Sequence, residues 1–191
     1  SGKKFIQRFG GKDFPRVRTM ISDSAGIWMG CTDNYLVRYD FNSRKFQERK
    51  IRATSKAGDD LILNIHNLLS RNNQLVINGS EGIYLYDPGN DSLALMYPFG
   101  IGESGFTLVE DGRGGYWIGV NNNTVICLDK EFSEVERYSP GKGLNNVEHI
   151  CLDDSGDIWV ALMGGGLGHV RPETGETNIY TTADGLSNNT L

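Results

Sequence analysis

The chain has 191 residues, 19 Lys plus Arg against 24 Asp plus Glu for a net charge of −5, with 38% hydrophobic residues, 25 Gly and 3 Cys. That composition belongs to a globular unit with a modest core and excludes a disordered segment, and no apolar run reaches the roughly 18 residues of a membrane helix. Basic residues are scattered through an acidic chain, so no nucleic-acid footprint is expected, and no membrane contact either.

Glycine recurs at turns between short alternating apolar segments, the pattern of many hairpins. In chain order, Lys4 to Phe9 reads as an isolated strand. Four extended pieces follow: Val17 to Ile21, Ile27 to Cys31, Leu36 to Asp40 and Lys45 to Arg49. After Asp59-Asp60, the residues Leu61, Ile65, Leu68 and Leu69 stand at helical spacing. Register favours a strand there, because Ile65 precedes Val76 by the interval that separates Val17 from Trp28 and Phe106 from Trp117. The last unit is the clearest: Val147 to Leu152, a tight turn at Asp154 to Asp157, then Ile158 to Leu162, Gly168 to Arg171 and Thr177 to Thr181. Pro172-Glu173-Thr174-Gly175 turns between its last two strands, Pro pre-setting φ and Gly accepting a positive one.

Four segments align as internal repeats: Ile21 to Gly30, Leu69 to Asn78, Val109 to Gly119 and Leu152 to Ala161. Trp28, Val76, Trp117 and Trp159 hold equivalent positions, recurring every roughly 40 to 50 residues. Four strands per repeat of that length make a propeller blade, whose small twisted sheet buries both faces against its neighbours. The predicted fold is therefore all-β, a β-propeller of four-stranded antiparallel blades, about four of them, forming a fragment of a larger propeller. Residues 1–12 would supply the last strand of a preceding blade; blades 1 to 4 would span 13–50, 59–98, 104–139 and 143–182; and 183–191 would lead into a fifth. A large ring on each second strand would wedge between neighbouring blades.

The combined pattern resembles the two-component regulator propeller repeat. It reads here as Asp23 to Gly30, Arg38-Tyr39-Asp40, Pro172-Glu173-Thr174-Gly175, Gly143-Leu144-Asn145-Asn146 and Gly185-Leu186-Ser187-Asn188. Blade 2 departs from it, with Val76 for the Trp and Arg71-Asn72-Asn73 at the turn. The resemblance implies a periplasmic sensor segment of a hybrid two-component histidine kinase anchored in the inner membrane, without catalysis or cofactor in this segment. Its implied ligand is glycan-derived. A protein-interaction scaffold is the second reading and a carbohydrate-active propeller enzyme the third.

Propeller geometry places a ligand where the loops leading into each first strand meet the loops between second and third strands. Those loops carry Arg16, Arg18, Asp33, Asn34, Tyr35, Glu81, Asn121, Asn122, Asn123, Asn145, Asn146, Glu148 and His149. Amides, carboxylates, guanidinium groups and an aromatic ring suit the hydroxyls and C–H faces of an oligosaccharide. Exposed faces of terminal blades are expected to drive self-association.

Other chemistry finds little support. Asp154-Ser155-Gly156-Asp157-Ile158-Trp159 matches an Asp-box core, and a hairpin turn capped by its leading Asp explains the same residues. Asp153, Asp154 and Asp157 resemble a calcium loop, but Ile158 stands where that loop needs Gly, so no metal is expected. Cys31, Cys127 and Cys151 are too widely spaced for a CxxC motif and read as buried thiols on strands. His66, His149 and His169 lie in different repeats without metal-ligand spacing.

Overall fold

The computed structural model describes residues 8–9, 12–13, 15–54, 58–141, 143 and 145–190. Four four-stranded antiparallel sheets follow one another, each with its strands side by side in chain order. Blade 1 is Val17–Ser22, Gly26–Cys31, Tyr35–Asp40 and Lys45–Lys50. Blade 2 is Ile65–Arg71, Gln74–Gly79, Gly82–Asp87 and Ser92–Pro98, so the segment with helical spacing is a strand. Blade 3 is Gly105–Glu110, Tyr116–Val120, Thr124–Leu128 and Glu134–Tyr138; blade 4 is Val147–Leu152, Ile158–Leu162, Gly166–Arg171 and Glu176–Tyr180. Of the strand expected over Lys4 to Phe9, Lys4 to Gln7 lie outside the described residues, and Arg8–Phe9 pairs with Lys12–Asp13.

The turns between first and second strands show how local chemistry builds each blade. Asp23 Oδ1 accepts from the amides of Ala25 (2.8 Å) and Gly26 (2.7 Å), and Asp111 Oδ1 from those of Arg113 (2.7 Å) and Gly115 (2.9 Å). In blade 4 the cap is Asp153, which accepts from Ser155 (2.9 Å) and Asp157 (3.1 Å). The leading Asp of the turn is thus one residue earlier than the Asp154 of the sequence motif. An Asp side chain that reaches two to four residues forward needs this offset. Blade 2 uses a different solution: Asn72 and Asn73 both take positive φ (48° and 64°) in a two-residue hairpin between the paired Arg71 and Gln74. Asn tolerates that region and makes a turn whose twist matches the strands.

Neighbouring blades meet through their first strands and through a ring or branched side chain on the second strand of the preceding blade. Trp28 and Leu36 pack with Ile65, Leu68, Ile77, Tyr84 and Tyr86 across the first seam, and Trp28 meets Tyr86 edge-on at 6.1 Å. Val76 and Ile83 join Leu108, Tyr116, Ile118 and Ile126 across the second. Trp117 and Val125 join Val147, Ile150, Ile158 and Val160 across the third. The four anchor residues occupy the same register, paired with Ile21, Leu69, Val109 and Cys151 on the first strands and with Arg38, Leu85, Cys127 and His169 on the third.

Two positions from each anchor, small and large residues interlock. A Cβ on Gly30 would collide with Ile65, and one on Gly119 with Val147. At the second seam the pair is reversed: Asn78 fills the space on the second strand, and Gly105 stands opposite on the next first strand. Ala161 holds the corresponding place in blade 4, whose far face is not covered among the described residues. There Trp159 stacks on His169 (4.1 Å) and Tyr180 (5.9 Å) and donates its Nε1–H to Asp153 (2.9 Å).

The expectation of three buried thiols holds only for Cys31; Cys127 is half-buried and Cys151 exposed. Cys151 pairs with Trp159 and so lies on the uncovered face. Burial pushes the Cys31 thiol up to about 11, with Glu48 adding to the effect, and burial does the same at Cys127.

The equivalent tryptophans should differ in energetic weight. Trp117→Ala should cost about 3 to 5 kcal/mol by chemical denaturation, as expected for a buried aromatic, and Trp159→Ala less than half of that.

Candidate functional site

In every blade the residue after the second strand donates its amide to the carbonyl of the residue before the first. The bonds are Thr32 to Arg16 (3.1 Å), Ser80 to Asn64 (3.0 Å), Asn121 to Ser104 (3.2 Å) and Met163 to Asn146 (3.0 Å). Antiparallel pairing thus gathers the lead-in loops and the loops between second and third strands at one end of the arc. All the loop candidates sit on that end.

They divide by what their side chains do. The Asn34 amide donates to the Leu61 carbonyl (2.9 Å) and accepts from the Leu63 amide (2.9 Å), tying blade 1 to the approach to blade 2. The Asn121 amide accepts from Ser104 (3.1 Å) and donates to Gly102 (2.7 Å), closing the approach to blade 3. Asn123 is buried and donates its backbone N–H to the Asn145 carbonyl (2.5 Å). The Asn34 and Asn121 amides serve the fold, whereas Asn123 Oδ1 is buried without a hydrogen-bond partner among the described residues. Asp33, Asn34, Asn122 and Asn123 all take positive φ (58°, 69°, 58° and 54°), so the Asn and Asp in these loops answer a backbone requirement.

Arg16, Glu81 and His149 are exposed, and Asp33 and Asn122 occupy turn tips. Tyr35 carries the Lys50 ammonium 5.4 Å above its ring. Two cavities open where one blade's fourth strand passes to the next approach. One, about 410 Å³, is lined by Asn34, Lys50 and Asp60; the other, about 610 Å³, by Asn145, Asn178, Asp184 and Asn189.

The first strands carry a feature that strand spacing alone does not reveal. Pairing skips one residue near the start of each: between Val17 and Thr19, Ile65 and Asn67, Gly105 and Thr107, and Val147 and His149. Arg18, His66, Phe106 and Glu148 are therefore four equivalent β-bulge residues on the innermost strands. A bulge re-aims the side chain it carries and is frequent beside functional sites. Three of these residues touch in sequence: Arg18 Nη2 lies 3.4 Å from His66 Nδ1, and the His66 ring meets Phe106 edge-on at 5.8 Å. Burial, reinforced by the Arg18 charge, lowers the His66 pKa to about 4. Neutral His66 thus accepts from Arg18 at Nδ1, which leaves its proton on Nε2. Arg18 and Glu148 were among the loop candidates; His66 and Phe106 were missed, although each directly follows the residue that leads its strand.

The acidic turn of blade 4 also assembles as a cluster, with ligand atoms of Asp153, Asp157 and His169 within 4.8 Å of one another. Each is engaged by the protein: Asp153 by Trp159 Nε1, Asp157 by His169 Nε2 (2.9 Å) and by Arg171 (3.5 Å). The Trp159 bond is the chief cause that holds the Asp153 carboxyl below its ordinary range.

Neither a protein-family model nor a curated relative matches the sequence. Solved structures do. The extracellular domain of BT4673 from B. thetaiotaomicron, described as a hybrid two component system, superposes with a TM-score of 0.71 at 22% identity, over 96% of this chain and 25% of that one. The extracellular domain of BT3049 from the same organism gives 0.65 at 18% identity, over 93% and 25%. Virginiamycin B lyase from Staphylococcus aureus gives 0.67 at 13% identity, over 86% and 55%. The likeness establishes the propeller fold, and the chain spans about a quarter of the length of the first two.

The His66 environment has a measurable signature. Proton NMR should show its imidazole titrating near pH 4, and Arg18→Gln should move that value part of the way back up, since burial remains the larger cause. The unfolded chain binds a proton at His66 near the ordinary pKa of about 6.5 and the folded one does not until about 4. The contribution of His66 to stability is therefore fully present above that range and declines as pH falls through it.

Proposed function

We propose that this chain is the ligand-sensing propeller segment of an extracytoplasmic hybrid two-component sensor, located in the periplasm and responding to a glycan-derived ligand. The observation that carries the reading is the convergence of polar loops and four bulge residues on one end and the axis of a propeller. The fold is one also found in extracellular domains of such systems. In this reading, ligand binding biases the packing of two sensor protomers, and the membrane-proximal parts relay that bias to a kinase.

Self-association belongs to the same proposal. The uncovered face of blade 4 presents Trp159, Tyr180 and Cys151, side chains that a neighbouring sheet would normally bury. An interaction scaffold is the alternative reading.

The non-catalytic reading is supported by the carboxylates that resemble catalytic groups. Those of Asp23, Asp111 and Asp153 are occupied by turn amides. The lyase with the same fold makes the point worth testing directly.

Thermal-shift measurements on the chain with a panel of neutral and acidic oligosaccharides should show a rise in Tm for at least one saccharide, with no product released on prolonged incubation. Light scattering over a concentration series should show a mass rising toward twice the monomer. Stabilisation by peptides alone would favour the scaffold, and product release would restore the enzyme.

A further inference from the structure

We propose that the bulge row Arg18, His66, Phe106 and Glu148 is an axial subsite for an acidic saccharide, with the sugar carboxylate on Arg18 and a ring face on Phe106. The inference rests on the glycan reading above and specifies its site and its ligand chemistry.

The backbone device is repeated four times at one register, while the side chains it presents belong to four different chemical classes. The anchor and the turn cap behave otherwise in this molecule. The anchor position is Trp, Val, Trp and Trp, and the turn cap is Asp in three blades. A conserved geometry carrying a cation, an imidazole, a phenyl ring and a carboxylate in succession is better matched to a ligand than to the fold.

The charges within the row point to an anion. Among the described residues Arg18 has no carboxylate partner; its contact is the neutral acceptor His66. That arrangement holds the guanidinium in place without neutralising it, and its remaining N–H donors match a carboxylate fork. The His66 proton on Nε2 is a further donor. Phe106, half-buried beside His66, offers a ring face or edge to the C–H side of a pyranose. Glu148 is exposed at the blade 4 end and can accept from sugar hydroxyls. The row thus offers a carboxylate-binding group at blade 1, a ring at blade 3 and a hydroxyl acceptor at blade 4.

The test is isothermal titration calorimetry of the chain with trigalacturonate, with its fully methyl-esterified form and with maltotriose. Four proteins are compared: wild type, Arg18→Gln, Phe106→Leu and Arg113→Gln. Arg18→Gln keeps a donor for His66, and Phe106→Leu keeps an apolar side chain, so both should retain the fold, checked by circular dichroism. Arg113→Gln removes one positive charge from an exposed turn at the opposite end of the blades. The expected result is binding of trigalacturonate that weakens at least tenfold on esterification, in Arg18→Gln and in Phe106→Leu, with Arg113→Gln unchanged. Trigalacturonate binding that survives Arg18→Gln, or that falls equally in Arg113→Gln, overturns the axial subsite. Binding of maltotriose without trigalacturonate overturns it too, while leaving the glycan reading intact. Absence of binding by all three saccharides counts against both.

Discussion

Everything else in this molecule depends on how closely the second strand of one blade approaches the first strand of the next. At two seams glycine makes that approach possible, Gly30 under Ile65 and Gly119 under Val147. At the middle seam the small residue has moved across, so that Asn78 projects and Gly105 yields. Each seam sets one glycine against one larger side chain, and the side that supplies the larger one varies. Close packing in an interior demands a filled space at native density and is indifferent to which strand fills it. The same logic lets Val76 stand where the other blades have Trp. Tyr116 and Phe132, stacked at 5.0 Å, join Leu108 and Ile118 in filling the seam that a smaller anchor leaves.

Holding the first strands together has a consequence for chemistry. Side chains at the bulges of adjacent blades come within contact distance, as Arg18, His66 and Phe106 do. The repeat therefore builds a row of positions whose backbone is determined by the fold and whose side chains are left open. The loops of the same end behave differently. Asn34 combines a positive φ with bonds to the approach of the next blade, and Asn121 is held by bonds to the approach of its own. Polar character in a propeller loop is thus a poor guide to ligand binding, whereas variation at a constrained axial position is a better one.

The strands and anchors were legible in the sequence because they rest on short-range signals. Alternation, Gly- and Asn-rich turns and the recurrence of Trp28, Trp117 and Trp159 each act within a few residues. Register even resolved the competing helical pattern at Leu61 to Leu69, where Ile65–Arg71 is a strand. Features that depend on pairing between strands were harder to read. The bulges add a residue without changing the alternation enough to be noticed, so His66 and Phe106 were passed over. The cap on Asp153 rather than Asp154 depends on which residues close the hairpin. Exposure of Cys151 depends on the far face of blade 4.

The claim at the centre of this account is that each seam needs one glycine against one larger side chain, whichever strand supplies which. A double-mutant cycle at the third seam tests it most directly, measuring unfolding free energies of Gly119→Val, Val147→Gly and the two combined. Each single change should destabilise, the first by collision with Val147 and the second by leaving a void above Gly119. The double variant places the larger side chain on the second strand, as in the middle seam, and removes the Val147 part of the collision while Thr107, 2.6 Å from the added Cβ, remains; it should still recover at least about 1 kcal/mol relative to the sum of the single losses. Losses that simply add would contradict the account.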